Sequence, residues 1–307
     1  MKRCLWLLLL LSLPLFAFDD GLSGLEVQVG EWRSEYRLMS FFVLPQQKLP
    51  ISVFKGKKAI PFTLSGINEA PLSVLSTHNY IAPIAPGDYQ LTVTTVDNQK
   101  VELRIFVMYP AARVKNGKLN GYTIGQYPRD PYKGLNIYQP PEGYVEVTPH
   151  NQDLWISPNY QLKQFLCKQA EGFPKYVVLQ TRLLRKLEYL TKVAVDQGYA
   201  TQGFVIMSGY RTPYYNKSIG NTKNSRHQWG GAADIYIDES PKDGTMDDLN
   251  KDGKIDVKDA QVLYDLVEGH FDVPGYRPMI GGLGIYRANA YRGPFIHVDV
   301  RGAKARW

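Results

Sequence analysis

Two segments far apart in this chain each carry part of one apparent metal site, and any fold that honours both must bring them together. The first runs from Ser208-Gly-Tyr-Arg211 to Ser225-Arg-His227-Gln-Trp-Gly230-Gly-Ala-Ala-Asp234, and the second is Phe295-Ile-His297-Val-Asp299. A His and an Asp seven positions apart, with a distant second His, supply three protein ligands. That is the number a catalytic zinc takes while keeping its fourth position open to water. His227 falls in a Gly- and Trp-containing loop, whereas Asp234 opens Asp-Ile-Tyr-Ile-Asp, whose alternation and β-branched content predict a strand. Gly230 and Gly231 permit a tight turn, and Ala232 and Ala233 permit close packing beside a metal. Phe295, His297 and Asp299 alternate along a second expected strand and so share one face. Hydrolysis at a metal is the leading expectation.

Taken in order, S-G-Y-R, S-x-H-x-x-G-x-A-x-D, G-G-x-G-x-Y (Gly281 to Tyr286) and F-x-H-x-D resemble the zinc D-Ala-D-Ala peptidases, which share a fold with lysostaphin-type enzymes and the hedgehog signalling domain. The resemblance covers roughly the last half of the chain, from about Ser157-Pro158 onward. It implies that His227, Asp234 and His297 hold zinc and that Arg211 faces the substrate or its developing oxyanion. It further implies that Ser225 stands next to ligand or substrate, with Tyr210 a companion substrate contact. One departure stands out. Where many relatives carry a His two residues before the last ligand, or a Glu three before it, this chain has Phe295 and Pro294, neither of which accepts a proton. Asp299 is then either the substitute base or a partner that orients an Arg or a ligand His.

Between the two halves of this site, Asp248, Asn250, Asp252, Lys254 (through its carbonyl), Asp256 and Asp259 follow the spacing of a calcium loop, with Gly253 at the sixth position and Ile255 at the eighth. No helical pattern precedes the loop, so it resembles a dockerin-type half EF-hand with a structural Ca2+. The repeat of Val257, Ala260, Leu263, Tyr264 and Val267 predicts an exiting helix.

Lys2 and Arg3 followed by the apolar run Leu5 to Ala17 read as a secretory signal (1–18), too short for a comfortable membrane span. A membrane is involved only if that segment stays uncleaved, and the periplasm is the expected compartment. With Cys4 removed, Cys167 stands alone in an expected buried helix position, so no intrachain disulfide is available. The formal charge of +7 comes without a nucleic-acid fold signature or a clustered basic helix. Attraction to an anionic polymer such as peptidoglycan accounts for it better.

At 307 residues, the chain has room for two domains. Short β-rich runs, Leu25 to Val29, Ser40 to Leu44, Ile51 to Phe54, Tyr89 to Thr95 and Val101 to Met108, predict a small all-β, immunoglobulin-like sandwich over 22–110. A Pro- and Tyr-rich connector (111–156) carries Tyr127, Tyr132, Tyr138 and Tyr144, which pack along the following domain or line a groove. Thr181 to Tyr199 reads as an amphipathic helix ended by Gly198. The expected whole is an α+β zinc peptidase domain (157–307) with a central antiparallel sheet and a calcium-loop insertion at 245–270. It would act on peptidoglycan stem peptides as an endopeptidase or carboxypeptidase. The alternative is a non-catalytic wall-binding or scaffold protein that retains the metal fold.

Overall fold

The computed structural model describes residues 18–66 and 74–307; the signal-segment reading (1–18), Cys4 included, lies outside the described residues except for Phe18. The described residues of the N-terminal part hold nine strands: β1 (Leu22–Val29), β2 (Trp32–Tyr36), β3 (Leu38–Val43), β4 (Lys48–Lys55), β5 (Lys58–Ile60), β6 (Phe62–Gly66), β7 (Thr77–Ile81), β8 (Gly87–Thr95) and β9 (Lys100–Val107). One sheet runs β2-β1-β4-β5 with β7 also paired to β4, and the other runs β3-β9-β8-β6. Period-two alternation decides their faces. Leu25, Val27 and Val29 on β1, Met39, Phe41 and Val43 on β3, and Val101, Leu103 and Ile105 on β9 are all buried in one apolar core. The expected immunoglobulin-like connectivity is not established by this strand order, in which β3 and β9 pair in parallel from Leu38↔Glu102 to Val43↔Val107.

The C-terminal sheet holds β10 (Val205–Ser208), β11 (Ala232–Tyr236), β12 (Gly282–Tyr286), β13 (Phe295–Asp299) and β14 (Ala305–Arg306) in the order β10-β11-β13-β12-β14. All neighbours are antiparallel except β12 and β14. Its register does the work that the sequence demanded. Asp234 lies opposite His297 across β11 and β13, Ala232 opposite Asp299, and Ser208 opposite Asp234.

Among the described residues three α-helices accompany the sheets: α1 (Thr181–Asp196), α2 (Pro213–Ser218) and α3 (Val257–Gly269). Helix α1 buries Leu183, Leu184, Leu187, Leu190 and Ala194 completely, the face its spacing predicts, and Gly198 follows it with φ +91°. The first turn of α1 is tied to the N-terminal strands. Thr181 donates through Oγ1 to the Ser40 carbonyl at 2.8 Å, Ser40 Oγ donates to the Ile156 carbonyl at 2.7 Å, and Arg185 pairs with Glu35 at 2.8 Å. The architecture is mixed α+β, with several antiparallel sheets and few helices, and no helix among the described residues is long and apolar enough to cross a membrane. Cys167 is buried and forms no disulfide among the described residues, and it follows a four-residue 3-10 turn (Leu162–Phe165) rather than sitting in an α-helix.

Candidate metal centre

The segment between β10 and β11 places His227 on a 3-10 turn, Arg226–Trp229, that ends at Gly230 with φ +62°. Residue 230 has to be glycine for a second reason: a Cβ there would come 2.2 Å from the Val178 carbonyl oxygen. The turn therefore lies directly on the backbone that leads into α1. A parallel constraint holds at Gly281, where a Cβ would sit 1.8 Å from the carbonyl oxygen of Asp299.

His227, Asp234 and His297 are buried and converge. His227 Nε2 lies 3.2 Å from Asp234 Oδ1 and 3.1 Å from His297 Nδ1, and His297 Nδ1 lies 2.9 Å from the same Oδ1. The outer nitrogens fix the tautomers, since each faces an atom that only accepts. His227 Nδ1 is 2.6 Å from the Gly209 carbonyl, and His297 Nε2 is 3.3 Å from Asp299 Oδ2. Each outer nitrogen therefore carries its proton, and each inner nitrogen presents a lone pair. Two lone pairs and a carboxylate oxygen face one another, an arrangement that repels unless a proton or a cation stands among them. Ligand atoms about 2.0–2.1 Å from a tetrahedral zinc are separated by about 3.3 Å, so the spacing and the donor set both fit that ion.

For His227 the electrostatics agree with this, and for His297 they hold a positive charge, proton or metal, among the three groups. Burial pushes His227 below its ordinary pKa in spite of Asp234, which keeps the ring neutral and able to bind metal. Burial acts the same way on His297, but its hydrogen bonds to Asp234 and Asp299 outweigh it and hold the ring above its usual value. Burial also opposes ionisation of Asp234, yet the imidazoles of His227 and His297 prevail and keep its carboxyl well below the usual carboxylate range.

Arg211 reaches the centre by donating from Nη2 to Asp234 Oδ2 at 2.6 Å and from Nε to Ser208 Oγ at 2.8 Å. Its first contact is thus with the carboxylate of the cluster. A cleft of about 800 Å³ opens above the three residues and is lined also by Tyr138, Lys168, Tyr210, Ser225, Tyr286 and Trp307. The ring of Tyr210 lines it, but the hydroxyl is turned 3.1 Å from Tyr127 Oη, so it serves packing rather than the polar substrate contact expected of it. Tyr127 in turn donates to the Gln228 carbonyl at 2.6 Å. Of the connector tyrosines, Tyr127 and Tyr138 pack edge-on against Trp229, and Tyr138 also reaches the cleft.

The expectation of Asp299 as general base fails on geometry. Asp299 is fully buried, does not line the cleft, and addresses the outer nitrogen of His297 rather than the inner one. Its oxygens also accept from Gly282 N at 2.8 Å, Arg301 N at 3.0 Å and the Arg301 guanidinium. It orients a histidine.

The calcium loop finds no support. Asp259, fully buried, accepts from the backbone N–H groups of Leu249 (2.9 Å) and Asn250 (3.2 Å) through Oδ1 and of Asp256 (2.8 Å) through Oδ2. Asp256 caps the N-terminus of α3 through Lys258 N. Asp248 accepts from Gly253 N at 2.7 Å and Asp252 N at 3.1 Å, Asn250 Oδ1 accepts from Asp252 N at 2.8 Å, and Asp252 is paired with Lys258. Lys254, whose carbonyl was to be a ligand, meets Asp252 Oδ1 through its own N–H. The carboxylates close a turn and start a helix. Among the described residues, His227, Asp234 and His297 are the group of three whose ligand atoms gather closely enough to hold a metal.

Several contributors escape a reading of motifs. Arg226 and Arg301 line the cleft, and Trp307 packs on His297 with ring centroids 5.1 Å apart while donating from Nε1 to Tyr286 Oη at 2.6 Å. Lys186 on α1 donates to the Asp299 carbonyl at 2.7 Å. For Arg301 the signal was present, since an Arg two residues after a strand-end Asp is well placed to pair with it. Lys186 carries no motif signal, because a lysine in an amphipathic helix is ordinarily solvated.

A family model described as Peptidase M15 matches residues 158–255, a span that contains Arg211, Ser225, His227 and Asp234 and stops before His297. No curated protein and no solved structure gives a significant match to the chain. The match supports placing this part of the chain in the zinc D-Ala-D-Ala peptidase-like family of metallopeptidases.

Proposed function

We propose, with that family placement as premise, that the protein is an exported zinc-dependent peptidase. It would hydrolyse amide bonds next to D-amino acids in peptidoglycan stem peptides or their cross-links, with endopeptidase action favoured over carboxypeptidase action. The observation that carries this reading is the set of inward-facing donors, His227 Nε2, Asp234 Oδ1 and His297 Nδ1, at the floor of an open cleft. Zinc, when bound, supplies Lewis acidity that acidifies water and polarises a carbonyl. The residues around it divide the remaining tasks.

Arg211 holds Asp234 in place and lines the cleft, where its guanidinium is positioned to donate to oxygen as negative charge develops. The Gly209 carbonyl and Asp299 keep the two imidazoles in the tautomers that binding a metal requires. Ser225 lines the cleft with its hydroxyl uncommitted among the described residues and is assigned a substrate contact. Endopeptidase action is favoured because the β-sheets ahead of the site suit a polymeric substrate. The periplasm is the proposed compartment, stem peptides the proposed partners, and nucleic acid has no part in the reading.

One observation favours a second reading. Apart from the metal-facing residues themselves, no carboxylate or imidazole among the described residues lines the cleft, so a protein base is missing. A wall-binding or scaffold protein needs none. Purified protein loaded with zinc, with and without a chelator, is to be incubated with intact peptidoglycan and with defined muropeptides, and the products read by mass spectrometry. Chelator-sensitive loss of cross-linked dimers is the expected result. Release of one terminal residue would make the protein a carboxypeptidase, and zinc-loaded protein that yields no product would establish the scaffold.

A further inference from the structure

The charges around the cleft are lopsided. Lys168, Arg211, Arg226, Arg292 and Arg301 line it, whereas Asp234 is its one carboxylate among the described residues and is already engaged by Arg211. Two of these cations form a group. Arg226 is 2% exposed and has no carboxylate partner among the described residues. Its Nη1 donates to the Ile137 carbonyl at 2.5 Å, its guanidinium lies 4.7 Å from the Tyr138 ring centroid and 5.4 Å from that of Trp229, and its Nε has no hydrogen-bond partner. Arg301 stacks 5.2 Å from the ring centroid of Trp307, the residue packed on His297. Asp299 is the carboxylate near both, and it also serves His297.

A desolvated guanidinium with an unpartnered N–H is costly in a folded protein, and here the cost falls beside the metal centre rather than at a remote surface. An arriving carboxylate would offset it, because a guanidinium fork matches that group in shape as well as charge. We propose that Arg226 and Arg301 form an anion-binding subsite beside the metal centre that takes a free carboxylate of the substrate, separate from the amide attacked. This rests on the peptidase reading and deepens it. The preferred substrate is an acidic peptide, and its carboxamide counterpart is a poor one.

The test uses the full zinc-loaded protein and two synthetic cross-linked stem peptides, one with its branch carboxylates free and one with them converted to carboxamides. Conversion is expected to raise KM about tenfold or more, the size of a lost charge-assisted hydrogen bond, with kcat little changed. Arg226→Met keeps an apolar body between Tyr138 and Trp229 and removes the charge, so it is expected to bring the two KM values together while zinc content and thermal midpoint hold. Equal handling of both peptides by the unaltered protein overturns the proposal, as does full discrimination in zinc-loaded R226M. Should R226M lose zinc or fail to fold, Arg301→Lys, which keeps the charge and removes the fork, is expected to lower the preference, and an unchanged preference counts against the subsite. Should neither peptide be cleaved, calorimetric binding of the same pair decides. An Arg226-dependent preference for the free acid supports the subsite while the peptidase reading falls, and equal binding removes the subsite.

Discussion

The chain contains two regions whose sequences both advertise a metal, and they use their carboxylates in opposite ways. In the His227, Asp234 and His297 cluster the protein's own hydrogen-bond partners stand behind the ligands, at the Gly209 carbonyl, Arg211 and Asp299, and the donor lone pairs are left to face one another. In the 248–259 loop the partners stand in front. Backbone N–H groups donate to the oxygens of Asp248 and Asp259, so these carboxylates find their partners inside the loop itself. A run of oxygen-bearing side chains at ligand spacing is thus ambiguous, because turn closure and helix capping call for the same residues. What separates the two regions is the side on which each carboxylate is already satisfied.

The contrast can be broken most forcefully at its metal-facing end. His297→Ala or Asp234→Ala is expected to reduce bound zinc from about one per chain to background, since a three-ligand site does not survive as two. Metal analysis after dialysis reads this directly, and full zinc retention would remove the cluster from consideration. Asp299→Asn leaves the ligands in place and disturbs only the outer nitrogen of His297. A loss of about 10–100-fold in zinc affinity is expected, measured by competition with a chelator of known strength.

The loop supplies the opposite experiment. Asp259→Ala removes a buried acceptor of three backbone N–H groups. It is expected to lower stability by about 1–2 kcal/mol, equally in calcium and in chelator, as read by urea denaturation. A midpoint in the unaltered protein that climbs with calcium would erase the distinction drawn here.

The last expected effect is read as a slope rather than a loss and concerns Lys186, whose burial lowers its pKa from 10.5 to about 7. Between those two values the unfolded chain holds a proton that the folded chain has released, so this group makes stability rise with pH across that window and lowers it below. In Lys186→Met that slope should flatten, as seen in denaturation midpoints taken at several pH values. An unchanged slope would mean that Lys186 stays charged against the Asp299 carbonyl.

Much of the site was legible because its constraints are local. Alternation placed His297 and Asp299 on one strand, and the glycines after His227 announced a close backbone approach, which the contact of Gly230 with Val178 realises. α1 was legible from its apolar spacing, and the β-rich runs of the N-terminal part from their period. What the sequence did not convey depends on partners far along the chain. That Asp299 turns to the outer nitrogen of His297 follows from Gly282 and Arg301 holding its carboxylate. That Tyr210 packs rather than binds follows from Tyr127, which arrives from the connector. The parallel pairing of β3 with β9 joins strands that no hairpin links. The loop was not decided by its sequence for a different reason, because its pattern is shared by two physical uses.

Asp299 also sets a thermodynamic condition on whatever occupies the cleft. One carboxylate holds both His297 and Arg301, so a bound anion that draws on Arg301 and a cation that draws on His297 act on the same group. Their affinities are then coupled, and reciprocity requires each to change the other's by the same factor. With the proposed anion in place, zinc affinity measured without substrate is expected to differ from zinc affinity at work, and the ratio of the two is itself a reading of how tightly that single carboxylate is shared.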